Sequence, residues 1–267
     1  MIHLRELILD IDGDADGSYP FDVQAVKHIS RLTFDLPLTI LIGENGSGKS
    51  TLLEGLALAV GSIAIGREEI SRDEAFKAVA PLADTMKLVW NKRIHRGFFL
   101  RAEDFFGYVQ RIRSLRQDML DEINRVDREY AGRSDYARDL GKVPARSSIN
   151  AIDSRYGEDL DAYSHGESFL TIFQSRFVPN GLYLLDEPEA ALSPLRQLGL
   201  ISLIKQMVLK DAQFIIATHS PILMSIPGAS ILDLDLSPPV YKEYQDIDQV
   251  NLYRAFLEDP DAFTRRL

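Results

Sequence analysis

The stretch LTILIGENGSGKSTLLEGLALAV, residues 38–60, joins an apolar run to a glycine-rich loop and then to an apolar helical pattern. The loop matches the pattern G-x-x-x-x-G-K-[ST] completely, and it lies between a strand and a helix, which is the context that the pattern requires. In such loops backbone N–H groups turn toward phosphates, the lysine neutralises the β- and γ-phosphates, and the following serine binds Mg²⁺. The stretch therefore predicts a nucleoside triphosphate site, formed by Gly43, Glu44, Asn45, Gly46, Ser47, Gly48, Lys49, Ser50 and Thr51, with Ser50 as a metal ligand.

Composition narrows the class of protein. The chain has 267 residues and 45% hydrophobic content, enough for one large domain, or one domain with an elaborated insert, and a sizeable core. Its net charge of −10 would repel phosphate backbones and anionic lipid, so any contact with DNA requires a local basic patch. The absence of cysteine excludes disulfides and thiolate metal sites. With no signal peptide and no apolar run of roughly 18 residues, the sequence predicts a cytoplasmic protein without a membrane span.

The second half of the chain alternates strand-like and helical patterns. LYLLD (182–186) and QFIIAT (213–218) are short apolar runs, and the helical segment 195–209 lies between them. Such alternation is typical of crossover units in a mostly parallel sheet. Residues 111–142 differ, because eight basic residues are mixed with seven acidic ones. This mixture favours a solvent-facing helical insert over its alternative, a nucleic-acid patch.

Two adjacent carboxylates end the apolar run LYLLD. Asp186 is expected near the Mg²⁺ shell, and Glu187 is expected to orient and deprotonate the water that attacks the γ-phosphate. Two carboxylates crowded at a strand end are understandable if a divalent cation and Lys49 offset their charge. The alternative is an ordinary acidic turn after a strand.

The motifs then follow one another in the order found in ABC-type ATPases, which the chain resembles over roughly residues 30–235. SHGES, residues 164–168, is similar to the signature motif of that family, although His165 replaces its first glycine and Glu167 its glutamine. The resemblance implies that Ser164, Gly166 and Glu167 contact the nucleotide bound by a partner subunit. Ser164 and Glu167 also form an S-x-x-E capping box, which would open an apolar helix whether or not the motif binds nucleotide.

Further positions carry the same resemblance. His219, in ATHSP, resembles the switch histidine, which would hydrogen-bond the γ-phosphate. Glu103 stands where the family usually has a glutamine, and is expected to be either a metal ligand or an ordinary exposed glutamate. Tyr19 or Phe21 lies where transporter ATPases have an adenine-stacking aromatic, with core packing as the favoured alternative.

The resemblance implies an α/β fold with a mostly parallel central sheet flanked by helices, an antiparallel β subdomain and a helical insert. We expect one domain over residues 1–267, with the insert at about 107–160, too short for the long coiled coils of chromosome-maintenance relatives. DEPEAALSP, SHGESF and ATHSPIL are similar to small standalone bacterial ATPases. The implied activity is Mg²⁺-dependent hydrolysis of ATP to ADP and phosphate by an ATP-sandwiched homodimer that acts on another, unknown effector protein. The alternatives are a transporter subunit and the ATPase of a DNA-repair or phage-defence complex.

Overall fold

The computed structural model describes residues 1–11, 17–62, 74–156 and 165–265. Its strands are β1 (Leu4–Leu9), β2 (Arg31–Thr33), β3 (Leu38–Ile42), β4 (Met86–Trp90), β5 (Gly97–Arg101), β6 (Leu182–Asp186), β7 (Gln213–Ala217), β8 (Ser230–Asp233) and β9 (Val240–Lys242). Its helices are α1 (Gln24–His28), α2 (Lys49–Val60), α3 (Glu74–Thr85), α4 (Ala102–Glu129), α5 (Asp135–Tyr156), α6 (His165–Arg176), α7 (Pro194–Val208), α8 (Pro221–Met224), α9 (Asp248–Glu258) and α10 (Pro260–Thr264). Short 3-10 helices span Pro188–Ala191 and Tyr244–Asp246.

The main sheet has the strand order β5-β6-β7-β3-β8-β9, in which β5 to β8 run parallel and β9 pairs antiparallel with β8. Every residue of β3, β6 and β7 is buried. Strands covered on both faces need uninterrupted apolar sequence, which is why these three segments lack the alternation of a half-exposed strand. The predicted mostly parallel α/β fold is confirmed.

Alternate residues of β3 point into two cores on opposite faces of this sheet. Ile40 and Ile42 pack with the aromatic residues of α6 and with α7, whereas Leu41 packs with α2, α3 and β1. The first core contains edge-to-face and stacked rings, including Phe98, Phe173, Phe177, Tyr183 and Phe214. Thus α2 and α6 lie on opposite faces of the sheet.

The antiparallel β subdomain is also confirmed, as a sheet of order β2-β1-β4. Gln213, a fully buried residue of β7, joins it to the main sheet. The side-chain Oε1 of Gln213 accepts hydrogen bonds from the backbone N–H groups of His3 and Leu4, both at 2.8 Å, and its Nε2 donates to the carbonyl of Leu4 at 2.9 Å. One amide therefore satisfies three buried backbone groups.

The charged segment forms two helices that pack on each other, α4 and α5. The first begins at Ala102, before the expected boundary of about 107. Two basic residues of α5, Arg138 and Lys142, pair with Asp127 of α4. In the opposite direction, Arg116 of α4 pairs with Asp153 of α5 at 2.8 Å. Basic residues thus face acidic partners across the helix pair. Across the four described ranges, no helix combines the length and the apolar character that crossing a membrane requires.

We expect Gln213→Ala to lower the free energy of unfolding by about 2–4 kcal/mol, because it leaves buried backbone donors and an acceptor without partners. Urea unfolding of the two proteins measures this difference. The matched control is Gln206→Ala, at an exposed position of α7, which should change stability by no more than about 0.5 kcal/mol. A loss below about 1 kcal/mol for Gln213→Ala would show that the subdomain is held by other contacts.

Candidate nucleotide site

The glycine-rich loop follows the buried strand β3 and turns directly into α2. Gly43, Gly46 and Gly48 have φ angles of 151°, 86° and 100°, which favour glycine. A Cβ on Gly48 would lie 2.2 Å from Val23 Cγ1, so the segment before α1 packs too closely against the loop for any side chain at that position. Because α2 begins at Lys49, the amides of its first turn have no intrahelical partner and face the site where phosphates would bind.

Lys49 is buried, and its ammonium group lies on the loop itself. Its Nζ donates to the carbonyl oxygens of Gly43 at 2.7 Å and Glu44 at 2.9 Å. Burial lowers the pKa of Lys49, while the negative charges of Glu187, Asp235, Asp186 and Glu189 oppose that shift. A cation is therefore held at the loop within reach of several carboxylates.

Asp235 holds the first turn of the loop, a role that the sequence did not indicate. Both carboxylate oxygens of Asp235 accept from the backbone N–H of Glu44, at 2.8 and 2.9 Å. Asp235 is held in turn by Gln24, whose Nε2 donates to its carbonyl at 2.7 Å, and by its own N–H, which donates to Asp233 Oδ1 at 2.9 Å. These contacts join the loop to the end of β8, which lies next to β3 in the sheet.

Asp186 and Ser50 meet where β6 and α2 come together. Ser50 Oγ donates to Asp186 Oδ1 at 3.2 Å. Burial raises the pKa of Asp186 to about 6, although the hydrogen bond from Ser50 and the charges of Arg101 and Lys49 oppose the shift. A buried carboxylate beside a serine hydroxyl at the phosphate loop fits a hard cation, which would favour the ionised form.

The described residues contain no cluster of three or more His, Cys, Asp or Glu side chains able to hold a metal ion. A site for Mg²⁺ would therefore use Ser50 and Asp186 and take its remaining oxygens from phosphates and water, as Mg²⁺ commonly does in nucleotide sites. The third expected ligand, Glu103, lies in the first turn of α4, and its side chain is outside the described residues.

Glu187 and His219 follow neighbouring strands and come close together. Because Asp186 of β6 pairs in register with Ala217 of β7, the residues after the two strands meet at one edge of the sheet. Glu187 Oε1 lies 3.5 Å from His219 Nε2. Glu187 has a left-handed backbone with φ of 49°, a costly conformation for this residue type and one that occurs at functional sites. The structure thus brings together the residues that the sequence predicted separately as the base and the switch histidine.

Arg101 and Glu54 were also missed by sequence reasoning. Arg101 ends β5 and pairs with the buried Glu54 of α2, and its Nε lies 3.9 Å from Asp186 Oδ2. With Ser50 and Glu187 they line a cavity of about 310 Å³. Arg101 could have been recognised as a site residue only from its place at the end of β5, the strand next to β6. That inference requires the strand order.

The signature segment is described only in part. Ser164 lies outside the described residues, while α6 begins at His165, so Gly166 and Glu167 lie in its first turn. The side chain of Glu167 is also outside the described set. Of the two candidate adenine-stacking residues, Phe21 packs against the core that contains β1 and α2, and Tyr19 is half exposed.

Two family models match the chain. Residues 20–95, which contain the phosphate loop, match the family described as "AAA domain". Residues 110–225, which contain Asp186, Glu187 and His219, match "AAA domain, putative AbiEii toxin, Type IV TA system". Each of these models covers less than half of the chain, and the similarity to AAA domains over both ranges supports the expected P-loop ATPase superfamily. Similarity to these domains supports ATP binding and hydrolysis as the activity of the chain.

Several solved structures are similar to this chain. One is the Smc head domain of Pyrococcus furiosus bound to the C-terminal domain of ScpA. It has 13% identity and a TM-score of 0.47, and the match covers 97% of this chain and 99% of that one. A nucleotide-free ATP-binding cassette from an ABC transporter has 14% identity and a TM-score of 0.45, covering 100% of this chain and 99% of that one. The ADP conformation of another transporter cassette has 16% identity and a TM-score of 0.45, covering 95% and 99%. No curated protein matches the ATPase in sequence.

We expect Asp235→Ala to weaken ATP binding about tenfold, because the Glu44 N–H loses a charge-assisted partner and ATP must then order the loop. Asp235→Asn keeps a side-chain oxygen for this N–H and should stay within about threefold of the wild type. Titration with a fluorescent ATP analogue measures both, with Asp118→Ala, at an exposed position of α4, as the control. Wild-type affinity of the Asp235→Ala variant would exclude a role of Asp235 in organising the loop.

Proposed function

We propose that this ATPase binds ATP with Mg²⁺ and hydrolyses it to ADP and phosphate in a homodimer that encloses two ATP molecules. The observation that carries the proposal is the meeting of one lysine and two residue pairs at one edge of the sheet. Lys49 lies on the phosphate loop, Ser50 is hydrogen-bonded to Asp186, and Glu187 lies 3.5 Å from His219. Together they supply phosphate binding, a cation site and a base beside an imidazole.

The reaction needs a water aligned with the γ-phosphate and a group that accepts its proton. Glu187 is partly exposed and follows directly after the strand that ends in Asp186, so its carboxylate can reach a water near a cation bound at Ser50 and Asp186. His219 would donate a hydrogen bond to the γ-phosphate, and Lys49 would offset the charge of the phosphate oxygens. When bound, Mg²⁺ would supply further charge neutralisation between the β- and γ-phosphates.

The sheet geometry supports a second subunit. The predicted signature lies at the start of α6, which packs through Phe173 against the core on one face of the sheet, whereas α2 packs on the other face. A helix start on the face opposite to α2 is suited to serve the nucleotide of another copy. Ser164, Gly166 and Glu167 of one subunit would then contact the γ-phosphate held by the partner. Loss of that phosphate would remove the contact and open the dimer.

We expect Glu187→Gln to form a stable dimer with ATP and Mg²⁺, because the nucleotide that bridges the subunits is no longer hydrolysed. Size-exclusion chromatography with light scattering measures the oligomeric state with ATP, with ADP and without nucleotide. The double variant Lys49→Ala, Glu187→Gln is the control and should stay monomeric, since it lacks the phosphate-binding cation. A Glu187→Gln protein that binds ATP but remains monomeric would contradict the sandwich.

We expect Glu187→Gln to lower kcat for phosphate release by about 10²–10³-fold while ATP affinity changes little, because a general base acts in the transition state. Removal of divalent cations with EDTA should also abolish turnover. The control is Glu258→Gln, an exposed glutamate at the end of α9, which should keep the wild-type rate. Undiminished turnover of Glu187→Gln would rule out its role as the base.

The alternatives predict other surfaces. A DNA-linked ATPase needs unpaired basic residues, and in the insert Lys142, Arg138 and Arg116 have acidic partners, which does not favour it. We therefore propose that the ATP-dependent closure of the dimer acts on an effector protein. Co-purification with a membrane protein would indicate a transporter subunit. Stimulation of ATP turnover by DNA, with a stimulation that decreases as salt rises, would indicate a DNA-linked ATPase.

A further inference from the structure

His219 lies just beyond the last paired residue of β7, so the strands do not hold its peptide groups. The ladder between β6 and β7 ends at Ala217. Instead, the N–H of His219 donates to Glu189 Oε1 at 2.6 Å, and its carbonyl oxygen accepts from Gln249 Nε2 at 2.9 Å. Two side chains from separate elements, the 3-10 helix after β6 and the helix α9, therefore hold the backbone on both sides of this histidine.

The side chain of Glu189 also binds the residue that precedes His219. Its Oε1 also accepts from Thr218 Oγ1 at 2.6 Å, and Thr218 Oγ1 accepts from the N–H of Ser220 at 2.9 Å. Its Oε2 is buried and has no hydrogen-bond partner among the described residues. A buried carboxylate with a free oxygen lowers stability, so its presence here requires an explanation. Holding the Thr218–Ser220 segment in one position supplies such an explanation.

Gln249 makes the position of this segment depend on the C-terminal helix. It is the second residue of α9, and it lines a cavity of about 920 Å³ together with Asn45 of the phosphate loop and His219. The helix α9 packs on α10 through Phe256 and Phe263, whose ring centroids are 5.7 Å apart. A displacement of α9 would therefore pull on the carbonyl group of His219.

Among the described residues, no hydrogen bond fixes the imidazole at Nε2. His219 Nε2 is buried without a hydrogen-bond partner among the described residues, and lies 3.5 Å from Glu187 Oε1. Its ring is joined through Cβ to the peptide that Glu189 and Gln249 hold. A shift of about 1 Å in a reacting group can lower a rate about 10²-fold.

We propose that Glu189 and Gln249 are positioning residues that clamp the His219 peptide, so that the imidazole points at the γ-phosphate beside Glu187. The proposal rests on the role of His219 in the proposed function. It assigns to α9 a part in ATP turnover, although α9 contributes no catalytic side chain.

The test is a double-mutant cycle on ATP turnover. Glu189→Ala and Gln249→Ala should each lower kcat about tenfold or more and change KM for ATP less than about threefold, since the phosphate loop is untouched. In a His219→Ala background, neither substitution should lower kcat further. Glu189→Gln, which keeps an acceptor oxygen for the His219 N–H, should recover part of the rate lost in Glu189→Ala.

Two exposed positions provide matched controls, Glu243→Ala and Gln245→Ala, and both should keep the wild-type kcat. Hydrogen exchange gives a readout that does not depend on turnover: the amide of His219 should exchange at least about tenfold faster in Glu189→Ala than in Glu243→Ala. Losses that persist in full in the His219→Ala background, or an unchanged exchange rate, would overturn the clamp while leaving the ATPase intact. If His219→Ala itself turns over ATP at the wild-type rate, the proposed role of His219 fails, and the clamp fails with it.

Discussion

Parallel pairing of β3, β7 and β6 is the constraint on which the site depends. In a parallel sheet all carboxyl ends lie at the same edge, so the loops after the three strands converge. Leu41 of β3 and Asp186 of β6 both pair in register with Ala217 of β7. Residues far apart in sequence, on the phosphate loop, after β6 and after β7, thereby come within contact distance without any local sequence signal.

The second property of the site is that buried charges offset one another. Lys49, Glu54 and Asp186 are all buried, and an isolated buried charge would be costly. Arg101 pairs with Glu54 and approaches Asp186, while Lys49 lies on loop carbonyls and close to acidic side chains. Such an arrangement tolerates a bound triphosphate with its cation, because it already contains both signs of charge at short range.

Prediction from sequence was possible where chemistry is local. The phosphate loop, the apolar strand before it and the acidic pair after β6 could be recognised because their residue types and spacing have one well-defined use. It failed for Asp235, Arg101, Glu189 and Gln249, which are ordinary polar residues in their own segments. Each acts on a backbone group or a charge that is distant in the chain, so its role is visible only when the strand order is known.

The difference between the expected and observed insert has a similar cause. The mixed charges of residues 111–142 indicated a solvated helix, yet its first helix begins at Ala102, directly after β5. Aromatic residues at the start of α4 resemble a continued strand in sequence. In the described sheet, β5 is the edge strand next to β6, and the chain passes from it directly into α4.

By itself, the sequence predicted a phosphate-binding loop, a mostly parallel α/β sheet and an acidic pair after a buried strand, because these depend on local spacing and on the apolar pattern of buried strands. Only the tertiary structure decided which side chains hold those groups in position. Asp235 holds the phosphate loop, Gln213 joins the two sheets, and Glu189 and Gln249 hold the backbone of His219. These partners are set by the strand order and by the position of the helix α9. Both bring together residues that are distant in the chain, so that they can form hydrogen bonds.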